Sequence, residues 1–379
     1  MKKQLEEITI HSFRGIKDLE LSGLGRINLI VGPNNSGKTS ILEAISYYCN
    51  PMNPIKIYEI ADRIGVSNYR KNQESLKWLF PHPDRSKDYP YFYGEIEITS
   101  SGKYEVFKAT ASLERRQIIY GYNEKIEQGV DNNRLVPGQE TLTGSELNLS
   151  SFVSRPGLKS INNINQDTNE FHAKFVFRDN KDYQHDPDKG YHHLPCNLLS
   201  PSMTHNTDDY FVEKLSETIK NNGIQYLMDV LKILDPDITD IEIMDTRARV
   251  YIKDKKNDFS PIGIYGDGVK RGILFALNLS LIPGGIFLID EIESSLHTTV
   301  LQKVFTWLVS SCKKLGIQLF TTTHSLEAID AILTATRQSK KTDIVIYRLK
   351  KDKDGTTSAK RLDTENLSIL RNELGSEVR

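Results

Sequence analysis

The sequence predicts an α/β fold, and three segments carry that prediction. Gly32-Pro33-Asn34-Asn35-Ser36-Gly37-Lys38-Thr39 fits G-x-x-x-x-G-K-[ST], with an apolar run before it (27–31) and helical spacing after it (40–45). Near the other end, residues 285–289 form an apolar strand that runs into Asp290 and Glu291. A further strand over 317–323 runs into His324-Ser325. Strand, loop, Lys-Thr and helix stand in the order a phosphate-binding loop requires, which a Gly/Asn-rich connecting turn would not.

Each element suggests its own chemistry. Small residues let the loop of Gly32, Asn34, Asn35, Ser36 and Gly37 wrap closely enough for backbone N–H groups to face phosphate oxygens. The helix that opens at Lys38, Thr39 and Ser40 adds the partial positive charge of its N-terminus. Lys38 would reach the β- and γ-phosphates, and the Thr39 hydroxyl would coordinate Mg²⁺. The chain is therefore expected to bind a nucleoside triphosphate. Asp290 fits the role of holding Mg²⁺ through water, and Glu291 that of a general base for the attacking water. His324, at a strand's C-terminal end, can touch the γ-phosphate; a lone histidine is more commonly an ordinary hydrogen-bonded one.

A third element defines the class. Tyr265-Gly266-Asp267-Gly268-Val269-Lys270-Arg271 opens an apolar helix over 272–282, upstream of the two-carboxylate strand. A Gly-rich turn at a helix start, then an Asp-Glu strand end, then Thr-Thr-His-Ser resembles the ATP-binding-cassette (ABC) ATPases. The resemblance is to the branch containing SMC, RecF-type and OLD-family proteins. Residues 5–16, with Phe13-Arg14-Gly15, resemble that branch's opening strand and turn, which implies that Arg14 lies near the nucleotide. Glu293-Ser294-Ser295-Leu296-His297 resembles its short loop after the catalytic Glu. The fold class expected is thus α/β: a P-loop NTPase, an ABC ATPase head with an antiparallel β subdomain and a helical signature subdomain.

The resemblance also implies a composite site. Gly266, Asp267 and Gly268 of one subunit would cap the γ-phosphate held by Lys38 of a second, so that ATP is sandwiched in a homodimer. The logic is again a glycine-lined helix N-terminus acting on an anion. A dinucleotide fingerprint is rejected, because it needs a preceding strand and a third glycine, and Gly272 falls one residue late.

Composition limits the remainder. With 379 residues and 38% hydrophobic content the chain has room for one large or two ordinary domains. A net charge of −1 gives no global pull toward nucleic acid or membrane, so any DNA surface must be local. Cys49, Cys196 and Cys312 lie too far apart for a spaced metal or disulfide framework, which suits a reducing cytosol. The N-terminus lacks the apolar core of a signal peptide, and Pro283, Gly284 and Gly285 break the one long uncharged run. A cytoplasmic protein without a membrane segment is expected.

The whole of 1–379 reads as a single split head, its nucleotide core drawn from 1–48 and 255–349. Residues 91–123 alternate around Ser100-Ser101-Gly102-Lys103 as a β-hairpin subdomain. Residues 124–190 turn polar and read as an insertion with loops, broken by one strand over 173–177. Residues 203–255 give a helical lid region with helices over 207–233 and a second hairpin over 241–252. The C-terminal extension, 350–379, is expected to hold a turn and a terminal helix. Residues 45–255 lack sustained heptads, which argues against an SMC-type coiled coil, and 325–379 is short for a Toprim nuclease domain of about 100 residues.

Other clusters are weaker. His185, His192, His193 and Cys196 match no common zinc spacing, and neighbouring histidines on a strand face opposite ways. Lysines at 253–256, 340–341 and 350–353 sit at turns among aspartates and read as solvated tips, leaving Arg115-Arg116 and Lys270-Arg271 as candidate DNA or partner contacts. Gln73 is the one candidate for a Mg²⁺-sensing Gln loop. The expectation is an ATPase using ATP and Mg²⁺, with Lys38, Glu291 and His324 catalytic and Thr39 and Asp290 on the metal. Its output would be a conformational signal. Three roles fit: the ATPase component of a bacterial anti-phage defence system with a separately encoded effector, a RecF-like DNA-repair clamp, or an ATP-binding scaffold.

Overall fold

The computed structural model describes residues 3–61, 73–81, 92–120, 140–154, 168–178, 181–187, 192–201, 203, 208–244, 249–338, 343–352 and 354–362. The chain divides into two compact units. Met1–Glu7, Glu20–Leu42 and Leu194–Arg379 make the first, and Ile8–Leu19 and Glu43–His193 the second. The elements begin with β1 (Leu5–Phe13), β2 (Ile16–Ser22), β3 (Ile27–Val31), α1 (Lys38–Cys49), α2 (Pro54–Ala61) and α3 (Gln73–Leu76). Strands β4 (Phe92–Gly102), β5 (Val106–Tyr120), β6 (Glu140–Ser154), β7 (Thr168–Arg178), β8 (Lys181–Pro187) and β9 (Cys196–Leu199) follow. Next come α4 (Asp208–Lys220), α5 (Ile224–Leu234), β10 (Ile238–Met244), β11 (Arg249–Asp254) and β12 (Phe259–Pro261). The remaining elements are α6 (Asp267–Ser280), β13 (Ile286–Ile289), α7 (Thr298–Leu315), β14 (Gln318–Thr323), α8 (Leu326–Gln338), β15 (Ile344–Lys351) and β16 (Thr357–Leu362).

The first unit is built on a six-stranded sheet in the order β16-β15-β3-β14-β13-β9. All of its pairings are parallel except that of β15 with the edge strand β16. Every residue of β3, β13 and β14 is buried. That is the signature of strands covered on both faces, and it explains their near-continuous apolar runs. The buried polar side chains among them are satisfied. Asn28 donates to the Gly25 and Leu319 carbonyls, and Gln318 donates to Leu5 and Gly25 while accepting from the Leu5 N–H. Helices α5, α6 and α7 bury Leu227, Val230, Leu231, Ile273, Leu277, Val304 and Leu308 in one core. Gly272 lets α5 and α6 approach closely, since a Cβ there would lie 2.2 Å from Leu234 Cδ1.

The lid region holds α4 and α5 and a three-stranded sheet, β10-β11-β12. Leu215, Leu227, Val230 and Leu231 are buried as helical spacing requires, whereas Ile219 is exposed. Helix α6 begins at Asp267, earlier than the apolar run alone suggested, so Gly268 to Arg271 are helical. Asp352, Asp354 and Gly355 lie at the turn between β15 and β16, which pair antiparallel. Residues 363–379, where the terminal helix was placed, lie outside the described residues.

The second unit carries a seven-stranded sheet, β2-β1-β4-β5-β6-β7-β8, antiparallel from β4 to β8. The expected hairpin of 91–123 is its β4–β5 pair. The strand expected over 173–177 within the polar insertion of 124–190 lies in β7; the rest of that reading is corrected, because β6 and β8 also continue the sheet, and β6 pairs with β5 from Glu140 to Val153. The alternation is there, with Leu147, Leu149, Val153, Ala173 and Phe175 buried. It escapes a hydropathy reading because buried Ser145 and Ser151 stand on the same strand as polar outward residues.

The join of β9 to β13 yields a stability test. A Cβ on Gly285 would sit 2.1 Å from the Pro195 carbonyl oxygen, which accepts the Ile286 N–H at 2.8 Å. Backbone cannot retreat there without breaking that pairing. Gly285→Ala is expected to destabilise the protein by about 1–3 kcal/mol, read as a lowered thermal midpoint; an unchanged midpoint would contradict the packing described.

Candidate nucleotide site

Between the last residue of β3 and the first of α1 the chain must reverse direction tightly. Gly32 (φ 156°), Asn35 (φ 62°) and Gly37 (φ 91°) supply the left-handed backbone this needs. Gly32 is also sterically required, since a Cβ would lie 3.0 Å from Ser36 Oγ and 3.1 Å from the Leu349 carbonyl. Ser36 is buried with its hydroxyl unpartnered among the described residues, while Asn34 and Asn35 are exposed. Helix α1 opens at Lys38, with Thr39 and Ser40 half-buried in its first turn and no acidic residue there to cancel the dipole. The Lys38 ammonium donates to the Gly32 carbonyl (2.8 Å) and the Pro33 carbonyl (2.9 Å). Burial holds its pKa below the usual lysine range, and the charges of Asp290, Glu291 and Glu293 oppose that shift.

Those carboxylates arrive through the sheet. Ile289 of β13 lies opposite Thr321 of β14, and Thr323 lies opposite Val31 of β3, so β14 and β3 end together and β13 ends two residues earlier on the same side. Asp290 is buried; its N–H donates to the Leu199 carbonyl (2.9 Å), and its Oδ1 accepts from the Thr322 hydroxyl (2.6 Å). Glu291 has a left-handed backbone, φ 47°, and its N–H donates to Thr322 Oγ1 (2.9 Å). Glu293 Oε1 accepts from the His324 N–H (3.2 Å) and stands 3.7 Å from His324 Nδ1; its Oε2 is buried and unpartnered among the described residues. The His324 ring is half exposed.

Gly266, Asp267 and Gly268 form the N-terminus of α6, with Gly266 as its N-cap. A Cβ on Gly266 would meet nothing within 4 Å, whereas one on Gly268 would lie 3.0 Å from the Ser295 carbonyl of the same chain. Beside these glycines Ile264 is 70% exposed.

Arg271 corrects the sequence reading. Taken there as a DNA or partner contact, it is fully buried and ties α6 to the acidic loop. Its guanidinium donates to the carbonyls of Ser200 (2.7 Å), Asp290 (2.9 Å) and Glu291 (3.3 Å) and lies over the Phe275 ring. Burial lowers its pKa to about 10 against the pull of Asp290, Glu291 and Glu293. Lys270 pairs with Asp267 at 3.4 Å.

The other candidates fall elsewhere. Arg14, in the second unit, has φ 52° and pairs with the buried Glu43 at 2.8 Å; its Nη2 also donates to the Ile60 carbonyl. Gln73 starts α3. His192 pairs with Glu105 at 3.0 Å. Lys253, Lys255 and Lys256 are each within 3.6 Å of an aspartate at a loop tip. Thr322 and Glu43 were not singled out in the sequence, and Glu293 entered only as the first residue of the loop after Glu291. The first sits inside the Thr-Thr-Thr-His-Ser string, which was read for its histidine.

The geometry agrees with the family comparisons. The chain belongs to the family described as "AAA domain, putative AbiEii toxin, Type IV TA system", which matches over residues 27–330. It is an ATPase head of the ABC type, SMC/RecF-like branch. An ATP/GTP phosphatase of Helicobacter pylori is 22% identical over 346 residues, which is 86% of this chain and 87% of that protein. The DNA replication and repair protein RecF of Geotalea uraniireducens is 23% identical over 267 residues, 67% of this chain and 62% of that protein. A solved SmcHead bound to the C-winged helix domain of ScpA aligns at 12% identity and TM-score 0.47, covering 96% of this chain and 99% of that one. Among the described residues, no helix is long and apolar enough to cross a membrane.

Removing the Arg271 fork tests its part in the site. Arg271→Met keeps bulk but removes the guanidinium from all three carbonyls; those of Ser200 and Glu291 keep the Met203 and Ser294 N–H groups, so the cost of about 1–3 kcal/mol for a buried group left unsatisfied falls on the Asp290 carbonyl. Denaturant unfolding should shift to lower concentration, and Arg271→Lys should recover only part, because an ammonium lacks the planar fork. Wild-type unfolding of Arg271→Met would refute this assignment.

Proposed function

We propose that the chain hydrolyses ATP with Mg²⁺, and that two copies close around the nucleotide. The observation that carries this reading is the convergence of the phosphate loop, Asp290, Glu291 and His324 at one end of adjoining parallel strands. The loop's N–H groups and Lys38 would bind the phosphates; Lys38 exchanges its present carbonyl partners for phosphate oxygens. Thr39 and Asp290 would hold Mg²⁺, which supplies charge neutralisation on the β- and γ-phosphates. Glu291 would take the proton of the attacking water, with His324 at the γ-phosphate. Arg14, anchored on Glu43, is the proposed further nucleotide contact.

Closure is proposed to bring Gly266, Asp267 and Gly268 of a second copy onto the γ-phosphate. Gly266 has no steric need of glycine within its own chain, which supports approach by an outside group, and exposed Ile264 flanks it. The output is a conformational signal to a separately encoded effector in an anti-phage defence system. The toxin–antitoxin wording of the family description supports a two-component arrangement. A RecF-like clamp on duplex DNA is the second reading, favoured by the similarity to RecF. Duplex binding that weakens steeply with salt would decide for the clamp, and co-purification with a partner enzyme for the effector.

The two halves of the site separate by mutation. Lys38→Ala should abolish ATP binding, measured by calorimetry. Gly266→Glu should leave binding intact but block ATP-driven dimerisation in light scattering, since its side chain enters open space in its own chain. A Gly266→Glu protein that dimerises and hydrolyses normally would rule out the composite site.

For the chemical step, Glu291→Gln keeps size but cannot accept a proton, so turnover should fall by roughly 10²–10⁴-fold. ATP-bound dimers should then accumulate, and His324→Ala should also slow turnover. Normal hydrolysis by Glu291→Gln would remove Glu291 from the mechanism.

A further inference from the structure

Three successive threonines end β14, and their hydroxyls do three different things. Thr321 donates to the Ile289 carbonyl at 3.0 Å, tying one strand to the next. Thr323 accepts from the Ser325 N–H at 3.0 Å, shaping the turn into α8. Thr322 alone among them meets the acids. Its side chain is wholly buried, it donates to Asp290 Oδ1 at 2.6 Å and it accepts from the Glu291 N–H at 2.9 Å. Its carbonyl accepts the Ile292 N–H at 3.1 Å, so the strand grips three consecutive residues of the loop.

We propose that Thr322 is a positioning residue for ATP hydrolysis, fixing with one hydroxyl the orientation of Asp290 and the backbone of Glu291. The proposal rests on the ATPase reading given above and deepens it. A hydroxyl can donate and accept at once, which a methyl, an ammonium or a carboxylate cannot. By donating to Oδ1 it fixes the Asp290 carboxylate in one plane, so the other oxygen keeps one direction for a metal-bound water. By accepting the Glu291 N–H it supports a left-handed conformation that a β-carbon disfavours. The Ser294 N–H, donating to the Glu291 carbonyl at 2.8 Å, braces the same residue from the other side. A general base must lie within hydrogen-bond reach of the water it deprotonates, and Glu291 reaches that place only from this backbone. Thr322 touches neither phosphate nor water in this scheme and acts through the two acids.

Thr322→Val is close in shape and suits a buried central strand while deleting the hydroxyl. The Val variant should bind ATP as the wild type does, because Lys38 and the loop are untouched, while kcat falls roughly 10–100-fold and the Mg²⁺ needed for half-maximal rate rises. Thr322→Ser restores the hydroxyl and should restore kcat and the Mg²⁺ requirement, even where loss of the methyl lowers the thermal midpoint. Should the Val variant not fold, Thr322→Ala supplies the same comparison. Wild-type kcat in the Val or Ala variant, or equal slowing in Ser and Val, overturns the proposal. Wild-type and Glu291→Gln are assayed alongside: if neither hydrolyses ATP the ATPase reading falls, and this proposal with it. A wild type that hydrolyses, a Glu291→Gln that does not and an unaffected Thr322→Val would refute the Thr322 role alone.

Discussion

The parallel register of β3, β14 and β13 is the constraint on which the site depends. It places residues 31 and 323 at one level and residue 289 opposite 321, two residues below, so the phosphate loop, His324 and Asp290 leave the same end of the sheet on adjoining strands. That register is strongly specified, because each strand is buried on both faces and a slip would strand its apolar side chains and its backbone hydrogen bonds. At the same edge α1 presents its N-terminus with no acidic residue in its first turn. Lys38 is then set among three carboxylates. Burial still outweighs their attraction and leaves its pKa lowered.

Arg271 is the second organising feature. A buried guanidinium without partners is costly, and here three main-chain carbonyls accept from its two terminal nitrogens, while its Nε has no partner among the described residues. Two of these belong to Asp290 and Glu291, so the helix that starts at Gly266 and the loop that carries the acids share one rigid contact. The approach of Gly268 to Ser295 adds a second contact between the same two segments.

Legibility in the sequence followed the range of the interactions involved. The phosphate loop could be read because its glycines, lysine and threonine act within one turn of chain, and each residue type answers a local need. The Asp-Glu strand end and the helix behind Gly268 were readable for the same reason. Strand β6 was not, because small polar residues are buried beside leucines there and soften the alternation, and of β7 only 173–177 was. Arg271 was misread as a surface charge, since its partners at 200, 290 and 291 are carbonyls, which leave no mark in a sequence. Thr322 was hidden in a threonine run whose members differ only in what their hydroxyls meet.

By itself, then, the sequence determined the nucleotide-binding class, the loop that takes phosphate, the two acids and the glycine-rich start of α6. These are contiguous motifs whose conformations are set by steric rules and helix-end dipoles. Tertiary structure alone decided that Glu293 lies against His324, that Arg14 is engaged by Glu43, and that Arg271 and Thr322 hold the acidic loop. The reason is physical: these contacts join segments distant in the chain through strand pairing and close packing, and a side chain's burial exists only once its neighbours have arrived.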